Sequence, residues 1–452
     1  MKLTHAVRAL FTSLIPVAVI AGATSTSYAD GRPPASVKVV FRPGSNTDAI
    51  VGTTFGLLIT NDDGASWRWL CESTLGIAGT YDPDYEMTST GLMLATSYDG
   101  LLMSRDGCHW RLASGPLGMG ATSAVSIGGD GTIYAALSDP VAGIKVFKST
   151  NDGTSFSDTS ATLPQADWWS DMAVAPSDSQ IVYLTGFRLG GSSPRTRVLV
   201  RSVDGGQSWQ ELPTTAFVGT NYSDLYIAAV DPTEPNTVFV RMTLVGPTLE
   251  EALYRTTNGT AATPAWTKVL HVSDEIGGVV VRRNGDVLAV QPHMQILQRS
   301  TDGGATFKPV AGVSFQGACL AERPGDQTLF MCMKNVIGSG PTTQVGRSAT
   351  GAANTWTSYL RFVDITGPLR CEAGTIQHDD CEANLWCGTK EFLGATSNEI
   401  DCTPGTKPPG KGCRNAGGAT GFEAAIVLVL LILPLVLLLV RRRRRMHAES
   451  AR

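Results

Sequence analysis

The chain predicts an all-β protein: a single seven-bladed β-propeller with four-stranded blades, bracketed by an N-terminal signal peptide and one C-terminal transmembrane helix. Two observations carry this. A motif typified by Ser202-Val-Asp-Gly-Gly-Gln-Ser-Trp209 returns at near-constant intervals along the molecule, and self-similarity at a period of about 20–50 residues marks a repeat architecture. The 452 residues also include 49 glycines and show no long helical periodicity outside the two ends, as expected of many short strands joined by turns. Length does not demand a second domain, because a repeat fold grows without thickening its core.

Full copies of the motif are Thr60-Asn-Asp-Asp-Gly-Ala-Ser-Trp67, Ser149-Thr-Asn-Asp-Gly-Thr-Ser-Phe156 and Ser300-Thr-Asp-Gly-Gly-Ala-Thr-Phe307. Worn copies are Ser104-Arg-Asp-Gly-Cys-His-Trp110, one residue short, and two with insertions, Thr256-Thr-Asn-Gly to Trp266 and Ser348-Ala-Thr-Gly to Trp356. The seven begin at residues 60, 104, 149, 202, 256, 300 and 348. The chemistry is that of a hairpin turn. The side-chain oxygen of Asp62, Asp106, Asn151, Asp204, Asn258 or Asp302 can accept from backbone N–H groups of its own turn. Gly64, Gly153, Gly206 and Gly304 supply a positive φ. The aromatics Trp67, Trp110, Phe156, Trp209, Trp266, Phe307 and Trp356 then open the returning strand and fill the space beside the sheet.

This pattern resembles the Asp-box, or BNR, repeat over about 300 residues. The resemblance implies a structural turn remote from any active site, so it speaks to architecture and leaves function open.

Each repeat shows one internal order. In the first, residues 37–42 form an apolar strand, 43–47 a turn, 48–53 and 56–60 two further strands, and 66–71 a fourth after the motif. Met172-Ala-Val-Ala-Pro176, Ile181-Val-Tyr-Leu-Thr185 and Arg197-Val-Leu-Val-Arg201 fit the same template in the fourth unit, as do Gly278-Val-Val-Val281, Asp286-Val-Leu-Ala-Val290 and Gln295-Ile-Leu-Gln-Arg299 in the sixth. Four strands per unit make a propeller blade, and only closure into a ring buries the faces of all seven. The ring is placed at residues 30–362. Extra length at residues 190–194 and 245–251 predicts projecting loops.

Nine cysteines suit an exported chain. A connector, residues 363–402, is poor in apolar residues and carries Cys371, Cys381, Cys387 and Cys402, which predict two disulfides within it, of undetermined pairing. Metal binding is disfavoured there, with no Cys-x₂-Cys pair and only His378 nearby. Cys319 and Cys332 fall on adjacent antiparallel strands and are candidate cross-strand partners, and Cys71 with Cys108 is a candidate bridge between blades one and two.

The ends carry the targeting information. Lys2 and Arg8 precede an apolar run and Ser27-Tyr-Ala29 supplies a small-x-small cleavage site, so residues 1–29 read as a signal peptide. Residues 403–412 read as a Pro/Gly tether. Residues 421–440, apolar except for Glu423, reach about 30 Å as a helix and span a bilayer; the five arginines at 441–445, in the tail 441–452, mark its cytoplasmic side. Gly412-Cys-Arg-Asn-Ala-Gly-Gly418, the apolar helix and the arginine cluster together resemble the MYXO-CTERM sorting signal of myxobacterial surface proteins. That resemblance, over residues 413–452, implies a membrane sorting protease acting near Cys413 and delivery to the outer surface of a myxobacterium-like Gram-negative cell. It also accounts for the odd cysteine.

Removing the terminal segments leaves 27 Lys and Arg against 38 Asp and Glu, a net charge near −11. A surface so acidic is a poor match for nucleic acid. No phosphate-binding glycine loop, Gly-x-Ser-x-Gly elbow or cofactor motif occurs, so no cofactor and no catalytic or metal residue is assigned. The enzyme reading is a glycoside hydrolase, sialidase-like or xyloglucanase-like. Phe41-Arg42-Pro43 resembles the Phe-Arg-Ile-Pro segment of sialidases but lacks a residue, and Arg188, Arg241, Arg282 and Arg283 show no spacing that specifies a substrate-binding triad. Sialidase rings have six blades, and xyloglucan-hydrolysing relatives pair two rings. A single seven-bladed ring is more similar to photosystem II assembly propellers and to sortilin-like ectodomains, which implies a surface-anchored binding or scaffold module for a glycan or protein ligand.

Overall fold

The computed structural model describes residues 33–403, apart from 78–80, 190–194, 215–216, 218–221, 245, 314, 334–341, 350 and 352. Seven antiparallel sheets each take four consecutive strands in chain order, and the first sheet gains a fifth strand at its outer edge. The innermost strands are Ser36–Phe41, Tyr85–Met87, Thr122–Ile127, Trp168–Ala175, Tyr222–Val230, Gly278–Val281 and Gly317–Glu322. Each contacts the next, and the seventh contacts the first. The protein is a seven-bladed β-propeller of four-stranded blades.

Because every blade is a simple meander, the two ends of the ring differ. At one end lie the turns joining first to second and third to fourth strands, including all seven motif turns. At the other, the loop end, lie the hairpins joining second to third strands and the links between blades. In the motif turns Asp62 Oδ1 accepts from Ser66 N (2.9 Å), Asp204 Oδ1 from Ser208 N (2.8 Å), Asp302 Oδ1 from Thr306 N (2.9 Å) and Asn151 Oδ1 from Ser155 N (3.0 Å). Asp106 caps the N–H groups of Cys108 and His109, and Asn258 that of Ala265. The hydroxyl opening each full copy accepts from the glycine N–H, as Thr60 does from Gly64 and Ser202 from Gly206. Gly64, Gly153, Gly206 and Gly304 have φ between 73° and 87°, and the residue before each is also left-handed, with Asp63 at 56° and Asp152 at 55°. The aromatics precede the returning strands by one residue rather than opening them, since those strands begin at Arg68, Arg111, Ser157, Gln210, Thr267, Lys308 and Thr357. Trp67 and Trp209 are buried, and Trp110, Phe156, Trp266, Phe307 and Trp356 are half-buried against clusters shared by adjacent blades.

The seam between blades seven and one exchanges no strand. Phe41 packs on Phe330 (ring centroids 4.4 Å), Tyr359 on Phe330 (4.7 Å) and Trp67 on Tyr359 (5.4 Å, edge to face). A Cβ at Gly64 would stand 2.8 Å from the Tyr359 ring, so a side chain there would wedge the seam open. Arg323, buried, donates to Asn46 O and Asp63 Oδ1, each at 2.7 Å. Ser36 Oγ donates to Gln344 O at 2.7 Å.

The connector is not a self-stapled loop. Gly367–Pro368 pairs in parallel with Arg68–Trp69 as the fifth strand of blade one. A π-helical stretch, Gln377–Leu385, and an α-helix, Trp386–Leu393, follow. The buried Gln377 side chain donates to Trp69 O (2.9 Å) and accepts from Thr74 Oγ1 (2.9 Å), while Trp386 packs on Trp69. The expected disulfides are correspondingly revised: Cys371 bonds Cys108 and Cys381 bonds Cys71. Cys71 and Cys108 cannot bridge to each other, because Cys71 follows the outer strand of blade one at the loop end and Cys108 lies in a motif turn of blade two at the opposite end. Cys319 and Cys332 are bonded across adjacent strands as expected, and Cys387 and Cys402 are also disulfide-bonded. The chain divides into two units after Asp401, of which the second has only Cys402 and Thr403 described.

Among the described residues no helix is long and apolar enough to cross a membrane. The signal peptide, the loop at 190–194, the tether beyond Thr403, Cys413 and the 421–440 helix lie outside the described residues.

The two connector disulfides span 310 and 263 residues, against 13 for Cys319–Cys332. The two long bridges are nested, so with one in place the other closes only the segments 71–108 and 371–381, and chain-entropy reasoning makes either long bridge worth roughly 1 kcal/mol more than the short one. Paired serine substitution at Cys71 and Cys381 should therefore lower the denaturant midpoint more than the same change at Cys319 and Cys332. Equal losses would mean that the connector does not unfold with the ring.

Candidate functional site

The innermost strand of a blade is a sheet edge, with N–H groups turned toward its neighbour and no partner in its own sheet. At four successive interfaces a side-chain oxygen supplies one. Asp84 Oδ2 accepts from Val125 N (3.2 Å), Ser126 Oγ from Val174 N (3.1 Å), Asp171 Oδ2 from Ile227 N (2.9 Å) and Glu251 Oε2 from Ile276 N (2.7 Å). Polar groups are thereby drawn into the central channel.

Five innermost strands carry a one-residue bulge where they enter from the loop end, at Val37, Ser123, Ser170, Ser223 and Ala318. A bulge re-aims the side chains beside it, and Lys38, Asp171 and Asp224 each follow a bulged residue. The loop end of the channel holds a cavity of about 510 Å³, lined from blades one to six, with Lys38, Asp82, Asp84, Asp171, Tyr226 and Arg241 among its walls. That volume is in the range of about 300–1,000 Å³ usual for small-ligand sites.

Its charges, and those beside it, are held in separate pairs. Lys38 Nζ lies 2.5 Å from Asp84 Oδ1 and 3.2 Å from Glu86 Oε1. Arg241 stacks over Tyr226 (5.1 Å) and donates to Ile276 O, and Arg197 pairs with Asp224 at 2.9 Å. Burial works against the charge on Lys38, but Asp84 and Glu86 outweigh it and hold the ammonium above its usual range. Burial, reinforced by Asp84, pushes Glu86 up against the pull of Lys38. Burial and then the Asp84 carboxylate push Asp171 up to about 7, even though it accepts from the N–H groups of Ile227 and Met172. Asp171 thus exchanges its proton near neutrality.

The motif residues are not brought together. Asp62, Asp106, Asn151, Asp204, Asn258 and Asp302 stay one to a blade at the end opposite the cavity. Their carboxylates are absorbed in the turns: hydrogen bonds, Ser300 foremost, hold Asp302 below the usual range, and at Asp62 and Asp204 they prevail over slight burial. The arginines do not converge either. Arg42 is in a turn at the motif end, paired with Asp48, Arg188 pairs with Glu211, and Arg282 is buried against Glu322. Among the described residues no cluster of His, Cys, Asp and Glu could hold a metal ion. Sequence reasoning missed Lys38, Asp84, Glu86 and Asp171. The available signal was a charged residue inside or beside first strands that are otherwise apolar, as in Val37-Lys38-Val39 and Asp171-Met-Ala-Val174.

No family model matches the sequence, and no curated protein matches it. Among solved structures the chain is similar to the extracellular domain of a proposed one-component system from B. thetaiotaomicron, with a TM-score of 0.47 and 11% identity over 67% of this chain and 38% of that one. It is also similar to PorZ, a surface component of the type-IX secretion system of Porphyromonas gingivalis, with 0.45 and 14% over 65% and 44%. A GH74 enzyme from Niastella koreensis follows, with 0.32 and 12% over 71% and 69%. The chain spans less than half the length of the first two.

Because Asp171 binds its proton more tightly in the folded protein than in the unfolded chain, its contribution to stability is fully present below the unfolded value of 3.8 and is lost as the pH rises through about 7. Asp171→Asn mimics the protonated form. The variant's melting temperature relative to the natural protein should therefore rise between pH 5 and pH 8, and a difference that is flat or falls over that interval would refute the raised carboxyl.

Proposed function

We propose that this protein is an exported, cell-surface-anchored Asp-box propeller that acts as a binding or scaffold module for a glycan or protein ligand. The observation that carries the reading is the occupation of the channel's charged groups. Lys38 bridges Asp84 and Glu86, Asp171 and Glu251 cap neighbouring strands, and Arg197 holds Asp224. Such an arrangement fixes the shape and potential of a ligand-sized cavity and leaves little freedom for reaction. Export is supported by the cysteines, since all eight in the described region are in disulfides, as an oxidising compartment requires. The anchor is the 421–440 helix, and Cys413 is the point at which a sorting protease releases the chain to the surface.

One observation favours glycoside hydrolysis as a second reading. Asp171, with its proton held to near neutrality, shares the cavity with the salt-bridged Asp84, and a retained proton beside a second carboxylate is what paired-carboxylate chemistry needs.

The full chain, purified in detergent, should bind members of a panel of immobilised oligosaccharides or peptides while turning over neither a fluorogenic sialoside nor xyloglucan. Turnover abolished by Asp171→Asn would replace the binding reading with the enzymatic one. For the anchor, Cys413→Ala should retain the precursor with residues 441–445 in the inner membrane. Recovery of the intact C-terminal peptide from natural surface material, read by mass spectrometry, would make the helix a permanent anchor instead.

A further inference from the structure

Ten large apolar side chains stand exposed among the described residues, and six of them share the loop end of the ring. Tyr98, Val141, Leu189, Leu249 and Met294 lie between the second and third strands of blades two to six, and Met119 lies on the link from blade two to blade three. Their exposure runs from 46% at Leu249 to 95% at Val141. The motif end has only Val203. Exposed apolar residues scattered singly are ordinary, but these form an arc around the mouth of the channel cavity.

Charge selects what covers them. Among the described residues, the loops and strand ends here carry Asp82, Asp99, Asp139, Asp167 and Asp274, while the cations Arg188 and Arg361 are paired with Glu211 and Asp364 and Arg195 stands over Phe187. Inside the mouth, Lys38 and Arg241 offset Asp84 and Asp171, so the acidic excess lies on the rim. An anionic bilayer would be repelled by this surface, and a neutral glycan would leave its potential uncompensated. We propose that the loop end is a docking surface for a protein segment that carries lysine or arginine among apolar residues, the apolar side chains meeting the arc and the cations meeting the rim carboxylates. Complementary potential steers and orients such a partner, and apolar tips supply the area it buries. The inference deepens the binding reading above and rests on it.

Two short synthetic peptides that differ only in carrying lysine or glutamate between leucines provide the probe, measured against the immobilised full chain at physiological salt, with a neutral oligosaccharide panel alongside. The lysine peptide should bind and the glutamate peptide should not. The triple substitution Met119→Ser, Val141→Ser and Met294→Ser, and separately Asp82→Asn with Asp99→Asn, should each weaken it by about tenfold or more. Thermal melts of both variants confirm folding, and Val203→Ser at the opposite end should change nothing. Equal binding of the two peptides, or lysine-peptide affinity unmoved by both loop-end variants, overturns the proposal. Oligosaccharide binding without peptide binding also overturns it and leaves the broader binding reading standing, whereas failure of every probe removes both.

Discussion

A ring made from one chain is held by the place where its ends meet. Here no strand of the last blade's sheet joins the first, so closure rests on side chains, the Phe41, Phe330, Tyr359 and Trp67 cluster and Arg323 reaching from blade seven to Asn46 and Asp63, backed by the short parallel strand Gly367–Pro368 that the chain lays on blade one as it leaves blade seven. The motif turn of blade one belongs to this seam. Asp63, left-handed at 56°, is turned toward Arg323 and Arg347, while Gly64 makes room for Tyr359. One turn therefore serves both the local hairpin and the global closure, and the channel inherits its shape from both. The connector then lies along the outer edge of blade one and covers Trp69 and Cys71.

The repeat made the ring legible in the sequence. Seven motif copies fix the number of blades, and the strands around them fall within one to four residues of where alternation places them, as Ser36–Phe41 and Gly278–Val281 illustrate. What was not legible depends on long-range neighbours. The pairing of Cys71 with Cys381 requires knowing that residue 381 returns to blade one, and nothing local to either cysteine encodes it. The helices at Gln377–Leu385 and Trp386–Leu393 were missed for a similar reason, since they are fixed by Gln377 and Trp386 docking on Trp69 rather than by an apolar stripe of their own. The bulges at Val37 and Ser170 follow from register with the next strand, and they decide where Lys38 and Asp171 sit.

The channel shows a compromise between assembly and recognition. An apolar lining would leave the N–H groups of Val125, Ile227 and Ile276 without acceptors, so carboxylates at the blade interfaces are structural needs before they are functional assets. Once present, they crowd one another. Lys38 relieves Asp84 and Glu86, and Asp171 relieves itself by holding a proton. The same groups that knit the blades thus set the potential inside the channel.

The disulfides to Cys108 and Cys381 also decide how the ring answers to force. Tension drawn along the chain from beyond residue 401 enters through the connector, and the bonds from Cys381 to Cys71 and from Cys371 to Cys108 hand it to blades one and two. The noncovalent seam is bypassed, because blade seven is no longer in the direct line between the pulling point and the body of the ring. A pull on the C-terminal side of the ring thus loads blades one and two and does not unzip the place where the two ends meet.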